Sequence, residues 1–204
     1  DAHLGIRVVA QALGKAIETS QARVTDQPPP AGSTDRTFKT EKERADAAIA
    51  EFQAVADKFG GSVADKAKYF IAVNRLMSDR AAGIAELEAM SKGSSETAKL
   101  AKFALAQTKA DDGKFDEAVT LYQELAAMAD PTVAKDTINF ALAKAYEKQG
   151  KKQEAIDIYF AIAKAAAEAK DADGKAMPLT ETARDAKDKV TQLAPDKAKD
   201  IPES

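Results

Sequence analysis

Chemistry in this chain would have to come from few side chains. There is one histidine, His3, and no cysteine. Without thiols there is no cysteine nucleophile, no thiolate zinc site and no disulfide. Cysteine-free chains suit oxidising and reducing compartments alike. A metal centre needs several convergent ligands, and no Ser-His-Asp set assembles around His3, so its expected state is a solvated side chain. Carboxylates are plentiful, among them Glu41, Glu43, Glu51, Glu86, Glu88, Asp111, Asp112, Asp116 and Glu117. Interspersed with lysines, they read as solvated helix faces. Asp111 and Asp112 precede Gly113, where aspartate bonds turn backbone, and the oxygen spacing of a calcium loop is absent. "FGGS" at 59–62 reads as a helix stop, not a phosphate cradle. The expectation is a protein that is not an enzyme, with no metal and no cofactor.

The elements that would position any site follow from composition. The chain has 204 residues, 45% hydrophobic but only 6% aromatic, with 10 glycines and 7 prolines. Alanine-rich, lysine- and glutamate-rich stretches point to an all-α protein. The net charge of -3, with both signs interspersed, excludes the clustered basic face that nucleic acid requires. No run of about 18 apolar residues is present to span a membrane. The opening Asp1 reads as a processed or trimmed start, leaving room for a removed signal or anchor.

Apolar spacing predicts a first helix over 4–24. "TDQPPPAGSTD" then carries three consecutive prolines and no apolar pattern, so 25–37 reads as a mobile linker. From residue 38 to 194 the three-and-four spacing resumes. Ala45, Ala48, Ile49, Phe52, Val55, Ala56 and Phe59 form one stripe. A glycine of "FGGS" suits the left-handed helix end, and Ser62 the next N-cap. Ser78-Asp79 breaks the following pair. Ser94 or Ser95 caps the next helix. Helix pairs are expected over 96–111 with 115–128, and 133–148 with 152–170. A last helix spans 179–194, residues 195–204 read as a tail, and no strand is predicted.

The strongest feature is a repetition. "DDGKFDEAVTLYQEL" returns as "KQGKKQEAIDIYFAI", with Gly113 and Gly150, Ala118 and Ala155, and Tyr122 and Tyr159 each 37 residues apart. Leu105 and Leu142, and Ala106 and Ala143, keep the same offset. Small residues allow close helix approach, the glycine permits a tight turn, and one hairpin cannot bury its apolar face alone. On these residues the chain resembles the tetratricopeptide repeat family, whose unit is a helix-turn-helix of about 34 residues. "AAIAEFQAV" and "AKYFIAVNRLMSDRAAGIAELEAM" look like degenerate units, with Gly83 in place of a helix-B alanine. The implied fold is a superhelical stack of antiparallel helix pairs, with an extra N-terminal helix and a C-terminal capping helix. The order of first helix, polar linker and "TEKERADAAIAEFQAVADKFGGS" is similar to YfgM-type membrane-anchored periplasmic tetratricopeptide proteins.

In such arrays the A helices build the concave face. The resemblance therefore places Tyr69, Val73 and Leu76, Phe103, Gln107 and Ala110, and Phe140, Lys144 and Glu147 on a groove for protein or peptide partners. Tyr69, Phe103 and Phe140 would recur once per unit, either as an aromatic ladder for a partner's apolar side chains or as core between helices. The implied function is a periplasmic adaptor or chaperone-like scaffold of a translocation or envelope-assembly complex, held at the inner membrane by a segment absent from this chain. The alternative is a structural module whose first helix joins another copy in a homo-oligomer.

Overall fold

The computed structural model describes residues 2–29 and 32–202, with side chains from residue 5 onward. The His3 side chain and two residues of the proline-rich segment lie outside that set. Among the described residues the chain is almost wholly helical, with consecutive helices packed as pairs. It divides into two compact units, Asp1–Ala101 and Lys102–Ser204.

The first unit holds α1 (Ala2–Gln21), two-residue strands β1 (Arg23–Val24) and β2 (Thr37–Phe38), α2 (Glu41–Lys58), α3 (Gly61–Ser78), α4 (Arg80–Met90) and the start of α5 (Glu96–Asp111). Apolar spacing on α1 puts Ala16 into a core with Ala48, Phe52, Val55, Ala67 and Ile71. The rings of Phe52 and Phe70 stack there at 4.9 Å. Two expectations are corrected here, the end of the first helix and the absence of strands. The first helix stops at Gln21, because Arg23 and Val24 pair in parallel with Thr37 and Phe38. The proline-rich segment supplies the crossover of about a dozen residues that a parallel pair needs. That segment is also pinned at its ends: Thr25 donates its N–H to Phe38 O at 2.8 Å. Arg36 meets Glu51 at 2.7 Å, and Thr19 donates to the same carboxylate.

Helix ends follow local chemistry. Thr40 caps α2 by accepting from the Glu43 N–H, and Ser95 accepts from the Ala98 N–H. Ser62 is not a cap: Gly60 holds the N-cap of α3, and Gly61, at φ 60, is that helix's first residue. Asp79 ends α3 and caps α4 through the Ala82 N–H. The two helices then approach so closely that a Cβ on Gly83 would lie 2.7 Å from the Leu76 backbone nitrogen.

The second unit contains the rest of α5, α6 (Phe115–Ala126), α7 (Lys135–Lys148), α8 (Lys152–Glu168), α9 (Glu181–Leu193) and the short α10 (Pro195–Ala198). Its two hairpins close identically. Gly113 and Gly150 sit at φ 74 and 78. Gly113 N–H bonds Ala110 O and Lys114 N–H bonds Lys109 O; 37 residues on, Gly150 bonds Glu147 O and Lys151 bonds Tyr146 O. These are the paired bonds of a left-handed helix end, which satisfy carbonyls that the helix leaves open. Ala106 and Ala118, and then Ala143 and Ala155, are completely buried. Tyr122 packs with Ile138 and Leu142 of the following hairpin, and Tyr159 with Ala183, Ala186 and Val190 of α9.

The expected tail is also corrected. Residues 195–198 form α10, Ile201 is only 5% exposed in the Tyr159 core, and Lys197 ties down to Asp157 of α8. Pro195 starts the turn at a position where no N–H is needed.

Two measurements check this packing. Gly83→Ala should lower stability by about 1–3 kcal/mol in chemical denaturation, because backbone must move to admit the methyl group. A gain of roughly 0.5–1 kcal/mol, as at an open helix site, would mean that the two helices are further apart. Ile201→Ala should cost about 2 kcal/mol or more; wild-type stability would return these residues to a loose tail.

Candidate functional site

The nine groove candidates fall in both units. Tyr69, Val73 and Leu76 lie on α3, in the first unit. Tyr69 is half-buried beside Phe70, with ring centroids 5.4 Å apart, and burial pushes its phenol upward. Val73 is half-buried. Leu76 is half-buried as well, and its Cδ2 lies 3.0 Å from where a Gly83 Cβ would be. Part of the side chain therefore packs at the α3–α4 crossing, and part remains open.

The other six lie in the second unit and repeat with the hairpins. Phe103 on α5 meets Tyr122 edge-on at 5.8 Å, and Phe140 on α7 meets Tyr159 at 5.2 Å. Each phenylalanine lies against a buried helix-B tyrosine and is itself only partly buried. The ladder is thus neither wholly core nor wholly groove. The tyrosines are the buried partners: burial pushes both phenols well above the usual range, and for Tyr159 the nearby Glu147 carboxylate adds to it. Gln107 is exposed and Ala110 half-buried next to its turn. Lys144 is exposed. Glu147 is not a free selector. It accepts two hydrogen bonds from Lys189 Nζ at 3.0 and 3.1 Å, and one from the Tyr159 hydroxyl at 3.2 Å.

Phe140 and Lys144 come together with α9 around a concave pocket of ≈ 300 Å³, whose other lining residues are Asp185, Asp188, Lys189 and Gln192. These four are spaced i, i+3, i+4 and i+7, one stripe of a helix, next to the buried stripe of Ala183, Ala186 and Val190. Reading α9 only as a cap missed them. The signal was in "TARDAKDKVTQL", where a polar stripe runs beside an alanine stripe. Phe103, Gln107 and Ala110 do not line this pocket.

The comparisons with known proteins bear on this same hairpin. Residues 139–172 match the family model of the tetratricopeptide repeat. The matched tetratricopeptide unit takes in most of α7, the Gly150 turn and all of α8. Its period partner, α5 with α6, repeats the same turn and the same alanine and tyrosine positions. Among curated proteins, and among solved structures, none matches the chain. A tetratricopeptide repeat implies protein partners in general.

A second concavity of ≈ 540 Å³ in the first unit is walled by Lys15, Glu18, Arg23, Asp35 and Arg36, among others. It has no aromatic floor, and charges of both signs crowd it. Among the described residues no group of three or more His, Cys, Asp or Glu side chains could hold a metal ion.

The half-buried setting of Phe140 gives a measurable expectation. Phe140→Ala should lower stability by about 1–2 kcal/mol in urea or guanidinium denaturation, as fits partial loss of a large apolar side chain. A loss of about 3–5 kcal/mol would place the ring wholly in the core.

Proposed function

We propose that this chain is a non-enzymatic protein-interaction scaffold whose partner docks on the helix-A face of the second unit. The observation that carries this reading is the pair Phe103 and Phe140. Each is braced on one side by a tyrosine and left partly open on the other, at the same position of successive hairpins. Braced, partly exposed aromatics are suited to anchor a partner, because they lose little conformational freedom on binding. Tyr69 and Val73 would offer a separate, partly open apolar surface within the first unit.

The setting that we propose is the periplasmic side of the inner membrane, as an adaptor or chaperone-like subunit of a translocation or envelope-assembly complex. The support is the likeness in layout to YfgM-type proteins. Among the described residues no helix is long and apolar enough to cross a membrane. On this reading the anchor is a segment outside the sequence given. A second reading, a homo-oligomer joined through α1, is favoured by Ile6, which is 66% exposed, and by Val8 beside it.

Photo-crosslinking in cells separates these. A benzophenone side chain at Gln107 or Lys144 should capture a second protein, whereas one at Thr120 or Ala161, exposed on helix B, should not. Equal capture from both faces would contradict the groove. Self-crosslinks from α1, with a multimeric mass in light scattering that Ile6→Asp abolishes, would favour the oligomer. Protease added to spheroplasts should digest the chain; protection there would contradict the periplasmic setting.

A further inference from the structure

We infer that the α7–α9 pocket is a socket for one basic side chain of the partner, arginine above all, whose stem lies on Phe140 and whose head meets Asp185 and Asp188. The inference rests on the groove reading and names the chemistry that this part of the groove selects.

Four observations carry it. First, an aromatic ring borders the pocket: Phe140 lines it and is partly exposed. An aromatic face attracts a cation, and the methylene stem of a long basic side chain covers apolar surface. Second, Asp185 and Asp188 line the same pocket, are exposed, and have no ion-pair or hydrogen-bond partner among the described residues. One helical turn apart, they sit side by side on α9. Third, the two lysines of the pocket are unequal. Lys189 gives both of its described bonds to Glu147, which neutralises its charge. Among the described residues that line the pocket, Lys144 is the one cation outside that ion pair, against two carboxylates. The charge left to a ligand is therefore acidic on the α9 side. Fourth, ≈ 300 Å³ lies at the bottom of the range for small-molecule sites and suits one long side chain.

Arginine fits better than lysine. Its planar fork reaches two acceptors at once and stacks on an aromatic face, which a point-like ammonium does less well. An acidic segment would instead have to approach Lys144 past both aspartates.

The test is selection of a random peptide library, displayed on phage, against the full chain. The selected peptides are then synthesised and their affinity is measured by fluorescence anisotropy. Arginine, followed by lysine, should be enriched next to an apolar residue. Asp185→Asn with Asp188→Asn should weaken the best peptide roughly tenfold or more, as for loss of charge-assisted bonds. Both residues are exposed, and an unchanged circular dichroism melt confirms that the variant is folded. Selected peptides that bind tightly but lack basic residues, or are acidic, overturn the socket and leave the groove standing. So does a basic peptide whose affinity the double variant does not change, because it binds elsewhere. If no peptide is enriched by the wild-type chain, both the socket and the groove reading fail.

Discussion

Everything distinctive about the second unit depends on a backbone constraint at two glycines. At Gly113 and Gly150 the chain turns into the left-handed region and makes the same two hydrogen bonds back into the preceding helix. A Cβ at either position would meet nothing within 4 Å. The requirement for glycine there is conformational, not one of space. That turn returns helix B antiparallel onto helix A, which brings Ala106 onto Ala118 and Ala143 onto Ala155. With methyl groups at the crossing, the helices lie close enough for the next residue inward, Tyr122 or Tyr159, to fill the gap to the following helix. Those tyrosines in turn brace Phe103 and Phe140. The candidate site is thus four steps from the turn, and each step is a packing consequence of the one before.

The first unit reaches similar hairpin geometry by other means. Between α3 and α4, Asp79 makes the turn through a side-chain cap, and the small residue is Gly83, with the backbone itself as its neighbour. Here glycine is required by space and not by conformation. Phe52 stacked on Phe70 takes the filling role. The family model matches one hairpin, residues 139–172, while helical pairing extends well beyond it.

The period was legible because it is local. Turn glycine, crossing alanine and filling tyrosine fall within ten residues of one another and recur, so spacing alone assigns them. Partners far apart in sequence were not legible in that way. Nothing near Val24 announces that it will pair with Phe38, and the prolines between them look like a free linker. Nothing near Ile201 says that Tyr159 will cover it. Helical register put Leu76 on an outward face, and only the fold shows that it also lies beside Gly83. The socket residues of α9 were visible as a stripe, but their significance depends on Phe140, some 45 residues earlier by sequence count. Glu147 shows the same limit: spacing put it on the groove face, and only the fold shows that Lys189 occupies it.

The most direct test of the turn constraint is one denaturation series on three Gly→Ala variants. Gly14 lies inside α1 with open space around its missing Cβ and no positive φ, so alanine there should stabilise by roughly 0.5–1 kcal/mol. The same change at Gly113 or Gly150 should destabilise by about 1–2 kcal/mol, because an L-residue must enter the left-handed region. Opposite signs from one chemical substitution are what the account predicts. If Gly113→Ala and Gly150→Ala are as stable as Gly14→Ala, the turns do not hold the left-handed geometry, and the chain of packing that leads to the site has lost its first link.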